Sequence, residues 1–131
     1  DSLQGYLLKN MKRLVVICEI TGYDFHHKNV YPIKYESKEK FLIDFENKVL
    51  EYWLTYNDYA KAHKKWAQSE PFGTKRSDSQ SKWDNWHQSE PKLSLSQMFC
   101  INGIEFDALE FIHGNEYKPP IVLTIDEWYN N

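Results

Sequence analysis

Cysteine is scarce in this chain of 131 residues. Cys18 and Cys100 lie far apart and show neither CxxC nor Cys/His ligand spacing, which gives a zinc site or a disulfide scaffold little support. Long hydrophobic runs are also lacking: no apolar stretch approaches the roughly 18 residues of a membrane helix, and no charged-then-apolar leader is visible. We therefore expect a protein of the reducing cytoplasm, with no cofactor, no membrane span and no secretory signal.

Catalytic sequence motifs are absent as well. The chain has no GxSxG, P-loop, HExxH or GxGxxG pattern, and no Ser, His and acidic residue follow one another in a recognisable order. Lysine far outnumbers arginine, and alanine and glycine are scarce, a bias associated with AT-rich genes of bacteria or phages. The missing motifs favour a protein that is not an enzyme.

What the chain does contain is enough apolar material for a core. Hydrophobic residues make up 41% of the sequence, which excludes a disordered chain, and the length suits a single domain over residues 1–131. The net charge of −3 is unevenly placed, because seven acidic residues against two lysines lie from Glu90 onward. The last third is therefore expected to form an acidic face.

The longest pattern is a helix predicted from Ser37 to Gln68. Ser37 suits the N-cap of this helix, and Pro71 ends the pattern. Apolar and aromatic residues recur at alternating steps of three and four, which places them on one helical stripe: Leu42, Phe45, Val49, Tyr52, Tyr56, Tyr59, His63 and Trp66. The first half of the stripe, which is widened by Phe41, Leu50, Trp53 and Leu54, indicates core packing. The second half presents rings with polar tips, which suit either a groove within the domain or a partner.

The remaining segments predict β-structure around this helix. Lys12–Tyr23 has the β-branched run of a central strand, and Pro32 makes the next strand, residues 30–35, an edge strand. Asn102–Gly103 predicts a hairpin turn, and Thr124–Glu127 has the spacing of a capping box. The predicted fold class is α+β: a mainly antiparallel sheet with one long amphipathic helix packed across one face.

A Trp/Ser-rich insertion, residues 69–96, follows the long helix and contains most of a repeat. Residues 66–71, Trp-Ala-Gln-Ser-Glu-Pro, recur as residues 86–91, Trp-His-Gln-Ser-Glu-Pro, with five identities in six positions. Both copies are typical of a helix end closed by proline, so a short helix through Trp83 and Trp86 is predicted. Two interpretations stay open: a helix terminator used twice, or a duplication that presents two tryptophans alike to a ligand or partner.

His26 and His27 form the one local cluster that resembles a chemical site. A metal-dependent nuclease of the ββα-metal type places a His pair at a strand end, and Asn47 and His63 could be nominated as its further residues. These two stand ~24 Å apart along the helix, so one compact metal site cannot use both. The simpler interpretation is that His26 and His27 are polar turn residues.

The predicted function is the binding of another protein without catalysis, as inhibitors, immunity proteins and antitoxins of bacteria or phages do. The acidic last third would then cover the basic surface of a nucleic-acid-handling partner. The predicted partner-binding residues are aromatic side chains of the helix and insertion and acidic side chains of the hairpin: Tyr56, Tyr59, Trp66, Trp83, Trp86, Glu105, Asp107 and Glu110.

Alternatives to this function stay open. One is the nuclease centred on His26 and His27, and another is a binder of single-stranded nucleic acid that uses the Trp66–Trp86 region. The aromatic residues could also pack only within the domain, and the acids of the hairpin could simply form its solvated face.

Overall fold

The computed structural model describes residues 10–22, 24–71 and 76–130, without the side chains of residues 76–79. In chain order these residues form β1 (Lys12–Thr21), β2 (His26–Tyr35), α1 (Lys38–Gln68), α2 (Arg76–Gln88), β3 (Met98–Ile101), β4 (Ile104–Asp107), a 3-10 helix (Ala108–Phe111), β5 (Ile112–His113), β6 (Glu116–Tyr117), β7 (Ile121–Thr124) and α3 (Ile125–Asn130). The predicted α+β class, with antiparallel strands and one long helix, is confirmed.

The strands divide into one three-stranded antiparallel sheet and two separate hairpins. The sheet has the order β2-β1-β7, whereas β3 pairs with β4 and β5 pairs with β6. As predicted, β1 is central, and its segment Leu14–Cys18 is fully buried. Pro32 lies on β2, an edge strand of this sheet, as predicted; edge strands tolerate proline because they pair on one side only. Tyr23, the predicted end of β1, lies outside the described residues.

Strand β2 begins earlier than the sequence indicates. His26 and His27 are its first two residues and lie opposite Thr21 and Ile20 of β1. The first five residues of β2 are all exposed, so they show none of the alternation that reveals a half-buried strand. The interpretation of His26 and His27 as turn residues is therefore corrected: pairing with β1 extends the strand to include them.

The long helix α1 starts and packs as its sequence predicts. Ser37 caps it, because its Oγ accepts a hydrogen bond of 3.0 Å from the backbone N–H of Lys40. Phe41, Phe45 and Val49, one helical turn apart, are completely buried. These three residues are core side chains, as predicted, whereas Leu42, Leu50 and Trp53 are half-buried and the prediction that Leu54 belongs to the core is wrong, because it is 63% exposed.

Aromatic rings join α1 to the β3–β4 hairpin. Phe45 makes edge contacts with Phe99 and Phe106, each with 5.1 Å between ring centroids, and with Phe111 of the 3-10 helix at 4.7 Å. Phe41 lies edge-on to Tyr35 of β2 at 5.3 Å. Edge-to-face packing of this kind adds to the stabilisation from burial.

Two local sequence signals lead to the predicted structures. Asn102 and Gly103 have φ angles of 47° and 84°, both positive as a tight two-residue hairpin turn requires. In the capping box, the Thr124 N–H donates to Glu127 Oε1 at 3.0 Å and the Glu127 N–H donates to Thr124 Oγ1 at 3.2 Å. Short-range chemistry thus fixes the β3–β4 turn and the start of α3.

The chain divides into two compact units. The first comprises Asp1–Glu51 and Gln97–Asn131, and the second comprises Tyr52–Ser96. Helix α1 contributes its first half to one unit and its second half to the other. The first unit contains the three-stranded sheet and the phenylalanine core, while the second contains most of the predicted aromatic site.

Candidate protein-binding site

A continuous series of ring contacts runs along one face of α1 in the second unit. The centroid distances are 6.1 Å from Tyr52 to Tyr56, 6.2 Å from Tyr56 to Tyr59, 5.6 Å from Tyr59 to His63 and 5.1 Å from His63 to Trp66. The steps of four and three residues place each ring beside the next. We call these five residues the aromatic ladder.

Tyr56 is the member of the ladder that combines the most ring contacts with exposure. It stacks on Tyr52 and also on Trp53, whose ring lies 6.0 Å away and is inclined by 14°, and it contacts Tyr59. Even so, 37% of its surface is exposed. Tyr56 therefore combines contacts to three rings with an accessible surface.

At the C-terminal end of the ladder, Trp66 packs against Trp86 of α2. The rings of Trp66 and Trp86 are stacked, with 4.0 Å between centroids and 7° between planes. Each indole N–H donates to the backbone carbonyl of the other residue, at 2.7 Å from Trp66 and 3.0 Å from Trp86. The pair therefore satisfies both of its buried-side donors internally.

The serines of the two repeats complete the same arrangement twice. Ser69 donates its hydroxyl to the Trp66 carbonyl at 2.6 Å, and Ser89 donates its hydroxyl to the Trp86 carbonyl at 2.7 Å. The backbone N–H of each serine donates to the same carbonyl, at 3.0 and 3.1 Å. Carbonyls in the last turn of a helix lack partners within the helix. Here the Trp66 and Trp86 carbonyls each accept from the serine three residues later and from the indole of the other tryptophan. We call Trp66, Ser69, Trp86 and Ser89 the tryptophan clasp.

Two further contacts border the clasp. Trp83 meets Trp86 edge-on, with centroids 5.8 Å apart and planes at 86°. His63 lies 3.1 Å from the carboxylate of Glu90, which belongs to the second repeat. Trp66, Trp83 and Trp86 are all half-buried. Trp66 and Trp86 thus pack on each other within the unit, and each of the three tryptophans keeps part of its surface accessible.

Three lysines of α1 lie in the second unit, outside the aromatic ladder. Lys61, Lys64 and Lys65 are exposed and line a shallow depression of about 460 Å³. Two residues, or about 200° of helix rotation, separate Lys61 from His63. Binding of a single strand needs bases stacked on aromatics while lysines contact the backbone. On α1, Lys61 points away from the ladder, whereas Lys64 and Lys65 each follow or precede a ladder residue directly and are rotated from it by about 100°.

The predicted acidic residues belong to the first unit and are not equivalent. Asp107 caps the 3-10 helix by accepting from the Leu109 N–H at 3.0 Å, and it also accepts from the Gln97 amide at 3.2 Å. Burial, and then the charge of Asp107, raise the pKa of the half-buried Glu110. Glu105 is exposed on β4. Of the three, Glu105 has the surface position that contact with a partner requires.

The His pair shows no metal-site geometry in the described residues. His26 is exposed and lies 3.8 Å from the carboxylate of Glu19, while the His27 ring contacts Phe25 at 5.5 Å. Across the described parts of the chain, no three His, Cys, Asp or Glu side chains come close enough together to hold a metal ion. Asn47 and His63 fall in different units.

Comparison with family models, with curated proteins and with solved structures found no match for this chain. What the site binds is therefore inferred from its geometry and chemistry. Among residues 10–22, 24–71 and 76–130, no helix combines the length and apolar character needed to cross a membrane.

Sequence reasoning missed several residues that shape the site. Trp53 is predicted as part of the core half of the stripe, yet it is half-buried and stacks on Tyr56. Ser69 and Ser89 were seen only as parts of a repeat, although each binds the carbonyl of the tryptophan three residues before it. The signal that could have revealed them is the conserved Trp-to-Ser spacing within the two copies, since Ser hydroxyls commonly bond to nearby backbone carbonyls.

Proposed function

We propose that this protein acts without catalysis, by binding another protein through the aromatic ladder of its second unit. The observation that supports this most directly is Tyr56, which three neighbouring rings hold in place while more than a third of its surface stays exposed. Tyrosine and tryptophan are over-represented among the residues that dominate binding energy, because they offer a large amphipathic surface with few rotatable bonds.

The order of the ladder also supports binding. A side chain that is already immobilised loses little conformational entropy when a partner covers it, whereas a mobile one opposes association by about 0.5–1.5 kcal/mol. Trp53 and Tyr59 flank Tyr56 and are half-buried, so they can surround a contact centred on it. Such surrounding residues exclude water from the central contact.

Charge indicates which kind of partner fits. In the sequence, the first unit carries 14 acidic against 9 basic residues, and the second carries 5 against 7. An acidic unit attracts a basic surface at long range and accelerates association. The proposal is therefore an inhibitor or immunity-type protein of the bacterial or phage cytoplasm. It would cover the basic surface of a nucleic-acid-handling partner.

The experiment compares three immobilised proteins in an extract of the source organism: wild type, Tyr56→Ala and Tyr129→Ala. Tyr129 is the matched control, because it is an exposed tyrosine of the first unit with 76% of its surface accessible. A partner should be retained by wild type and Tyr129→Ala and should bind Tyr56→Ala at least about 30-fold more weakly, as loss of a hot spot of about 2 kcal/mol implies.

Further measurements separate this proposal from its alternatives. Circular dichroism must show that Tyr56→Ala is folded, and the purified partner should lose activity when the wild-type protein is added. Equal affinity of wild type and Tyr56→Ala would overturn the ladder as the binding surface. Oligonucleotide binding with a steep salt dependence, or a rise in melting temperature on adding a divalent metal, would favour the nucleic-acid binder or the nuclease instead.

A further inference from the structure

The tryptophan clasp joins two copies of one sequence motif by the same contacts in both directions. Trp66 donates to the Trp86 carbonyl and Trp86 donates to the Trp66 carbonyl, while each carbonyl also accepts from the serine three residues later. The two rings are parallel within 7°. Each half thus presents the surface that the other half recognises, so a motif of this kind is complementary to another copy of itself.

We propose that the clasp is a self-recognition site, which can be completed between two copies of this chain as well as within one. In the exchanged form, Trp66 of each chain stacks on Trp86 of the other, and both clasps are kept. Every hydrogen bond and ring contact of the clasp is preserved, because none of them depends on which chain supplies which half. Exchange of an identical element between copies is a low-cost route to a dimer.

Few contacts other than the clasp hold the described part of α2 in place, which makes exchange feasible. Among its described side chains, residues 80–88, Trp83 and Trp86 are half-buried and the others are exposed. The bond from Gln80 to Asp84 lies within the helix and travels with it. Outside α2, the contact from Glu90 to His63 can likewise form between two chains. Release of α2 therefore breaks few contacts that the dimer does not restore.

Concentration decides which form is populated. Closure within one chain across a short connection has an effective concentration on the order of millimolar, so the wild-type protein should be monomeric at micromolar concentration. Removing one tryptophan from each of two chains abolishes closure within either chain. A mixture of Trp66→Ala and Trp86→Ala proteins then retains one intact clasp, and only between unlike chains.

The experiment mixes these two variants and measures molecular mass by sedimentation and stacked-indole coupling by circular dichroism. The proposal expects heterodimers whose fraction rises with concentration, together with a coupling signal that exceeds the mean of the two separate samples. The matched control mixes Trp66→Ala with the double variant Trp66→Ala/Trp86→Ala, which cannot form the mixed clasp.

A second measurement covers the case in which the single variants lose the structure of the second unit. Two batches of wild-type protein, each carrying a different fluorescent label, are mixed, unfolded and refolded together at high concentration. Energy transfer between labels is expected for wild type and not for Trp66→Ala/Trp86→Ala. Absence of energy transfer in wild type, or an equal signal in the double variant, would overturn the proposal. So would mixed variants that stay folded and monomeric up to their solubility limit.

Discussion

The ring of Phe45 meets the ring of Phe111 at 88°, with 4.7 Å between their centroids. Phe45 has no exposed surface and also contacts Phe41, Phe99 and Phe106. One side chain of α1 thus touches the 3-10 helix, both strands of the β3–β4 hairpin and the preceding turn of its own helix. Phe45 therefore joins α1 to the hairpin and to the 3-10 helix in the core of the first unit.

Truncation of Phe45 is therefore expected to destabilise the protein strongly. Phe45→Ala should lower the free energy of unfolding by about 3–5 kcal/mol, because it removes buried apolar surface and leaves a cavity among four rings. Urea unfolding followed by circular dichroism measures this change. Glu46→Ala, at the exposed position that follows, is the control and should change stability by less than about 0.5 kcal/mol. A loss below about 1 kcal/mol for Phe45→Ala would contradict the core assignment.

Gly103 offers a test of backbone conformation that is free of steric overlap. Its φ is 84°, and a Cβ added there would meet no heavy atom within 4 Å. Gly103→Val should therefore destabilise the protein through strain alone, by about 1–3 kcal/mol, since β-branched residues resist positive φ. Gly103→Asn should cost much less because asparagine tolerates this region. Equal unfolding midpoints in urea for the Val and Asn variants would show that the turn does not impose this conformation.

Tyr35 and Asp44 couple the start of α1 to β2 in a pH-dependent manner. The Tyr35 hydroxyl donates to the Asp44 carboxylate, to which Lys40 also donates at 3.1 Å. The bond from Tyr35, followed by that from Lys40, lowers the pKa of Asp44, against the effect of burial. Burial, and then the bond to Asp44, raise the pKa of Tyr35 to about 12. Both shifts mean that the folded state prefers ionised Asp44 beside neutral Tyr35.

The sign of the pH dependence follows from these directions. Asp44 contributes stability above its unfolded pKa of about 4, and this contribution is lost as the pH falls through its lower folded pKa. Tyr35 contributes stability below about pH 10, which is lost as the pH rises through about 12. Tyr35→Phe should therefore lower the free energy of unfolding by about 1 kcal/mol at neutral pH and by progressively less in acid.

Unfolding of wild type and Tyr35→Phe by urea, from neutral pH into acid, measures that difference. Tyr31→Phe is the control, because Tyr31 also lies on β2 and is half-buried, while burial is the largest cause of its raised pKa. The difference in the free energy of unfolding between wild type and Tyr31→Phe should not decrease in the acid range. If the difference in the free energy of unfolding between wild type and Tyr35→Phe stays constant down to the lowest pH, the bond from Tyr35 does not stabilise the ionised form of Asp44.

The sequence was sufficient for features that depend on neighbouring residues. The burial of Phe45 and Val49, the Asn102–Gly103 turn and the capping box at Thr124 all follow from side-chain periodicity or local backbone preference. The division of the strands into three sheets could not be predicted in this way. A short apolar run indicates a strand but carries little information about which other strand it pairs with.

The candidate site was only partly visible for the same reason. Periodicity placed Tyr56 and Tyr59 on one face, and the repeat drew attention to Trp66 and Trp86. The stacking of those two rings depends on where two helix ends meet in space, which no spacing in the chain specifies. The contact between Tyr35 and Asp44 is similar, since it joins a strand to the helix that follows a turn.

The pairing of β1 with β7 has a consequence for the newly made chain on the ribosome. Val16 lies opposite Val122, more than 100 residues later in the sequence. At about 5–20 residues per second, β1 waits roughly 5–20 s after its own emergence before β7 is available. During that interval the most apolar strand has one unpaired edge, which is a template for strand addition by other nascent chains. Correct pairing of β1 therefore requires that this edge stays free until β7 emerges.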